Sequence, residues 1–202
     1  MKQKKLLLLG GLRYQLPVIK FAHDLGYYVI TCDYIPNNIA HKYSDEYHNV
    51  SIIDKEAVLS LGQKLKIDGI MSFAVDPGVM TAAYVAEKMG LSHSGSYESV
   101  CILQNKDRFY SFLAQNNFNV PQAWSFSSVD DALKREYPYP VIVKPTDSAG
   151  SKGVSRVDSS NQLKLAVQNA IEHSLSKRVI IEEFIEKEGC PQIRTVSLWM
   201  VF

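Results

Sequence analysis

The sequence is short of the features that announce most specialised chemistries. Its 202 residues hold three cysteines, Cys32, Cys101 and Cys190, too few and too scattered for a disulfide framework or a zinc site. Cys32 falls within an apolar run and reads as core. Net charge is only +1, which removes the electrostatic case for nucleic acid or an anionic membrane as a partner. The run Leu6-Leu7-Leu8-Leu9 is far too short for a membrane span or a signal segment, and Asp24 and Asp33 soon follow. Cytoplasm is the expected compartment. No internal repeat and no low-complexity stretch is visible. No G-x-x-x-x-G-K-[ST] loop occurs. The G-x-G-x-x-G dinucleotide fingerprint is also missing, since Gly10-Gly11-Leu12-Arg13-Tyr14-Gln15 offers no later glycine for a close pyrophosphate approach. Asp33 alone does not restore an NAD site.

What is present is the composition of a folded domain, 46% apolar and 21% charged, in a chain long enough for one large or two small cores. The first hundred residues alternate as in a parallel α/β sheet. Lys5 to Leu9 predicts a continuous apolar strand, Pro17 to Leu25 a helix stopped by Gly26, and Tyr27 to Cys32 a second strand. A short segment over Ala40 to Tyr47 leads to a small strand near Val50. Lys55 to Leu65 predicts a helix, Asp68 to Phe73 a strand, and Val79 to Met89 a helix closed by Gly90. Ligands of open α/β sheets bind beyond the carboxyl ends of the strands. That places Gly10, Gly11, Arg13, Asp33 and Asp76 as candidate substrate-binding residues. Arg13, beside free backbone N–H groups at a helix start, suits a carboxylate or phosphate. The alternatives stay open: a solvated helix residue for Arg13, a turn cap for Asp33, and a turn start before Pro77 for Asp76.

The second half carries the most informative stretch. Val141-Ile142-Val143 reads as a buried strand that delivers Lys144 to its end, and Pro145 then ends the ladder for want of an N–H. Asp147, Ser148, Ala149, Gly150, Ser151, Lys152 and Gly153 form a small-residue loop rich in backbone N–H groups. A lysine followed at once by such a loop is a way to grip a polyphosphate; a plain surface hairpin is the bland alternative. Upstream, Gln104-Asn105-Lys106-Asp107 opens an amphipathic helix with Phe109, Phe112 and Leu113 on one face. Asn119 to Pro121 with Ala123 to Phe126 predicts a strand, and Val129 to Tyr137 a helix. Downstream come a strand over Gly153 to Val157, a helix over Asn161 to Ser174, and an apolar strand, Arg178 to Ile185, ending in a pair of acids. Helices alternating with antiparallel-type strands make an α+β module.

Taken in order, Lys106 at a helix start, Val143-Lys144-Pro145, a Gly/Ser loop with Lys152 and Ile180-Ile181-Glu182-Glu183-Phe184-Ile185 resemble the nucleotide-binding half of the ATP-grasp superfamily. Biotin carboxylase and the carbamoyl-phosphate synthase large subunit belong to that group. The resemblance implies an α/β fold: an N-terminal open parallel sheet, pre-ATP-grasp and Rossmann-like, over 1–95, then a partial α+β ATP-grasp domain over 96–202. It implies ATP as ligand and Mg²⁺ as the expected ion. ATP-binding residues are then Lys106, Lys144 and Lys152 at the phosphates, with Ser148, Gly150, Ser151 and Gly153 in a loop that closes over them. Glu182 accepts from the adenine amino group, and the Glu183 carbonyl and Ile185 N–H read the remaining edge. Glu188 is placed at the ribose, with Lys187 or Cys190 as alternatives. The implied reaction activates a carboxylate as an acylphosphate for attack by an amine or similar nucleophile.

The family's metal-binding acids come later in the chain than this sequence reaches, and no Asp or Glu follows Glu188. The expectation is therefore an ATP grip without the catalytic floor: a truncated or frame-shifted ligase, with catalytic residues and metal ligands unassigned. The alternative is a catalytically silent nucleotide-binding module or subunit. The ending Leu198-Trp199-Met200-Val201-Phe202 is apolar and suggests a homodimer through the C-terminal segment. A small-molecule carboxylate is the expected substrate partner, with no nucleic acid and no membrane.

Overall fold

The computed structural model describes residues 3–93 and 95–186. Two compact units divide the chain, Met1–Cys101 and Ile102–Phe202.

The first unit is a four-stranded parallel sheet, β1 (Lys5–Leu9), β2 (Tyr28–Cys32), β3 (Glu46–His48) and β4 (Gly69–Ser72), in the order β3-β2-β1-β4. The leucine run of β1 is unbroken because both faces are covered. Leu7 and Leu9 pack into the larger core with Val58, Leu61, Val85 and Ala86, from α2 (Lys55–Leu65) and α3 (Val79–Met89). Leu8 points the other way and packs with Ile19 and Ala22 of α1 (Leu16–Asp24). Burying each such leucine contributes roughly 1.5–3 kcal/mol. Local chemistry sets the helix ends. The Asp54 carboxylate accepts from the Ala57 N–H at 3.0 Å to start α2, and Gly90 closes α3 in a left-handed conformation, φ +65°. The third strand lies at Glu46–His48, earlier than the position near Val50 read from the sequence.

The second unit is an antiparallel sheet, β5 (Ala123–Phe126), β6 (Val141–Pro145), β7 (Ser155–Val157) and β8 (Val179–Glu183), in the order β5-β8-β6-β7. One face packs Val141, Val143, Val157, Val179 and Ile181 against α7 (Ser160–Glu172) and α6 (Val129–Leu133). The period of two sends Ile142, Lys144, Ile180 and Glu182 to the opposite face. Helix α5 (Lys106–Gln115) contacts that second face, while α4 (Tyr97–Gln104) precedes it in the chain.

Several expectations are corrected. Pro145 does not end the ladder: it pairs with Val179, and the Thr146 N–H donates to Arg178 O at 3.2 Å, so only one donor is skipped. Helix α6 stops at Leu133 instead of Tyr137. Tyr137 is buried as a core aromatic whose hydroxyl donates to Ala132 O at 2.7 Å, and Pro138 and Pro140 forbid a longer helix. The helix opened by Lys106 forms as α5, with Phe109 and Leu113 half-buried and Phe112 exposed. No described helix is long and apolar enough to cross a membrane.

Candidate nucleotide site

In the second unit the strand period and one helix start bring the sequence's candidates together. The main-chain N–H of Lys106 donates to Thr146 O at 2.9 Å, which stitches the first turn of α5 to the end of β6. The Lys106 ammonium then reaches Ser148 O at 3.0 Å, at the root of the Gly/Ser loop. Lys144 leaves β6 on the same sheet face as Glu182. Ile142 pairs with Glu182 in register, so Lys144 and Glu182 are diagonal neighbours across two strands. Their side chains meet, Nζ to Oε1, at 2.5 Å, and each is largely buried. Tyr110, one helical turn beyond Lys106, donates its hydroxyl to the other carboxylate oxygen, Oε2, at 2.7 Å. The Lys144 ammonium also lies 3.4 Å from that hydroxyl and 5.5 Å from the ring centroid. Burial, then the hydrogen bond to Glu182 and its charge, push the Tyr110 phenol well above its usual range, so it stays a neutral donor.

The loop after β6 is anchored at its first residue. Asp147 Oδ1 accepts from the Ser174 hydroxyl at 2.7 Å and the Leu175 N–H at 3.1 Å, and Oδ2 accepts from the Ser176 N–H at 2.7 Å. The tip then turns through left-handed conformations at Gly150 (φ +66°), Ser151 (φ +58°) and Gly153 (φ +72°). Gly153 is more than a hinge. A Cβ there would lie 2.9 Å from both His173 Cβ and Pro145 Cγ, so the loop end is packed down. At Gly150 the space is open and only the φ angle asks for glycine. Lys152 is exposed at the tip.

At the far end of β8, the Glu183 N–H donates to Gln122 O at 2.9 Å, and the Phe184 N–H to Pro140 O at 3.2 Å. The chain then leaves the sheet, with Ile185 64% exposed. Glu188, Lys187, Cys190 and the apolar C-terminal segment lie outside the described residues. A second polar cluster sits on the α5 face. Arg178 contacts Asp107 at 3.1 Å and the Ser125 hydroxyl at 2.9 Å. Sequence reasoning missed Tyr110, the anchoring role of Asp147 and this cluster. For Tyr110 the signal was available, since a residue four beyond Lys106 shares its helix face.

In the first unit the other candidates gather at the carboxyl ends of the parallel strands, where the strand order reverses between β1 and β4. Gly10 and Gly11 are required there by packing. A Cβ on Gly10 (φ +106°) would lie 2.9 Å from Gln15 Nε2 and Val75 Cγ2; one on Gly11 would lie 2.4 Å from the His41 ring. Gln15, fully buried, donates to Leu9 O at 2.6 Å and accepts from the Leu12 N–H at 3.0 Å. Asp33 is buried and caps its own turn, accepting from the Ile35 N–H at 3.2 Å and from Asn38 Nδ2 at 2.9 Å. Arg13 and Asp76 are exposed. Among the described residues no three His, Cys, Asp or Glu side chains are placed to hold a metal ion.

Comparison with known proteins adds the following. The family described as D-ala D-ala ligase C-terminus matches residues 108–193. A formate-dependent phosphoribosylglycinamide formyltransferase from Synechococcus sp. (strain WH7803) is 28% identical over 186 residues, 90% of this chain and 48% of that protein. The carbamoyl phosphate synthase large chain of Thermotoga petrophila is 27% identical over 166 residues, 80% of this chain and 15% of that one. Among solved structures, the L-amino acid ligase from Bacillus licheniformis superposes with a TM-score of 0.69 at 24% identity, covering 92% of this chain and 45% of that one. The chain spans about half the length of the formyltransferases it matches.

Proposed function

We propose that this chain, a member of the ATP-grasp superfamily, is the ATP-gripping part of a ligase of that type. The parent reaction is ATP-dependent activation of a carboxylate as an acylphosphate, followed by attack of an amine or similar nucleophile. In this reading Lys106 and Lys144 meet the phosphates, and the loop Ser148, Gly150, Ser151, Lys152 and Gly153 folds over them with its N–H groups. Glu182 accepts from the adenine amino group, and the Glu183 carbonyl and Ile185 N–H complete the base edge. Glu188 is proposed for the ribose. The acceptor carboxylate is assigned to the carboxyl-end surface of the parallel sheet, with Gly10, Gly11, Arg13, Asp33 and Asp76. Packing and turn-capping already account for Gly10, Gly11 and Asp33, which leaves Arg13 as the direct anion contact.

What supports the reading most is one convergence: the Lys106 ammonium on the loop root, and the Lys144–Glu182 pair on the same sheet face. The Lys144 ammonium and the Glu182 carboxylate meet on that face, so neighbouring strands offer a cation suited to phosphate and an acceptor suited to an exocyclic amine. Mg²⁺, supplied by the medium, would neutralise phosphate charge when bound, and no described residue set is assigned to it.

A second reading is a nucleotide-binding module that does not turn ATP over alone. It keeps the grip of Lys106, Lys144 and Glu182 on the nucleotide and assigns no residue to phosphoryl transfer. An ATP-turnover assay with Mg²⁺ and a panel of carboxylates and amines separates the two. Product from this chain alone establishes the ligase, whereas ATP binding without turnover establishes the module.

A further inference from the structure

We propose that Tyr110 is a positioning residue for base selection: its hydroxyl holds the Glu182 carboxylate in the orientation that receives an exocyclic amine. The inference rests on the nucleotide reading above and assigns a role to a residue outside the motifs that suggested it.

Three observations carry it. Glu182 is 8% exposed and uses its two oxygens on two different partners, Lys144 on Oε1 and Tyr110 on Oε2. A carboxylate has about four lone-pair sites, so two acceptor positions remain for a ligand after these bonds. The Lys144 ammonium has three donors and sits within reach of both Glu182 and the Tyr110 hydroxyl. Without the phenol, both carboxylate oxygens can close on Lys144, and the acceptor that faces the base is lost.

The phenol matters more once phosphates arrive. In the proposed site Lys144 turns toward them and withdraws from Glu182. A buried carboxylate that loses its counter-ion needs another partner to remain charged and fixed. Tyr110, kept neutral and delivered from α5 by the same helix that carries Lys106, is that partner among the described residues. The Lys144 ammonium lies 5.5 Å from the Tyr110 ring centroid, and phenylalanine keeps that ring while removing only the donor.

The test is calorimetric titration of the full 202-residue chain with ATP and with purine riboside triphosphate, which has the same phosphates and sugar but no exocyclic amine. Wild type is expected to prefer ATP. Tyr110→Phe is expected to bind ATP about ten-fold more weakly while its affinity for purine riboside triphosphate changes less than about two-fold. Equal weakening of both nucleotides, or no weakening of ATP, overturns the inference while leaving the nucleotide site intact. A wild-type chain that binds neither nucleotide overturns the nucleotide reading itself. Glu182→Gln supplies a second check that leaves Tyr110 in place. In that background the preference for ATP is expected to fall and a further Tyr110→Phe change to add less than about two-fold; a retained preference overturns the inference.

Discussion

Lys144 and Glu182, on neighbouring antiparallel strands, neutralise each other across 2.5 Å on a half-covered sheet face. Opposite charges at that burial are coupled: removing one strands the other in a poorly solvated place. Lys144→Ala is therefore expected to lower the stability of the second unit by about 3 kcal/mol. Lys144→Met combined with Glu182→Gln is expected to recover much of that loss. Urea denaturation of the single and double variants checks it, and additive losses would show that the pair is not coupled.

The two loop glycines separate strain from packing. Gly150→Ala meets only the cost of a left-handed φ in open space and is expected to lose about 1 kcal/mol. Gly153→Ala adds a collision with His173 and Pro145 and is expected to lose about 3 kcal/mol. Thermal unfolding of both variants decides the order.

Asp147 fixes the root of the same loop through three accepted hydrogen bonds. Asp147→Ala is expected to cost about 2 kcal/mol, because a hydroxyl and two N–H groups lose their acceptor. Amide exchange over residues 147–153 and 174–176 should quicken together. Faster exchange in the loop alone would contradict the anchoring role.

In the first unit, His41 lies against Gly11 and Tyr47, with its ring centroid 4.1 Å from the tyrosine's. Burial lowers its pKa from the ordinary 6.5, partly opposed by the hydrogen bond to Ile35 O and the charge of Asp33. The folded state therefore prefers neutral imidazole, and this contribution is present above the unfolded pKa and lost as pH falls through and below about 6.5. The stability gap between wild type and His41→Asn is expected to narrow from pH 7.5 to pH 5. A gap that widens on acidification would reverse the sign.

Much of this molecule is legible in its residues, for identifiable reasons. Strands buried on both faces, such as Leu6 to Leu9 and Val179 to Ile181, read as continuous apolar runs, and glycines such as Gly90 mark helix ends. Lys144 and Glu182 stand out as charges that interrupt or end such runs. Their pairing is not legible, because it depends on strand register across 38 residues of sequence. Tyr137 reads from the sequence as the end of a helix, yet it is buried from the loop after α6, its hydroxyl donating to Ala132 O. Gly11 and Gly153 read as ligand or hinge positions, and neighbours distant in sequence, His41 and His173, turn them into packing requirements.

The most direct measurement is ATP binding by the full chain and by Lys144→Ala, titrated under identical salt and Mg²⁺. Saturable binding by the wild type and at least about a ten-fold loss in the variant are expected for removing a charge-assisted phosphate contact. Equal affinities in the two proteins, or no binding by the wild type, would contradict the proposed site.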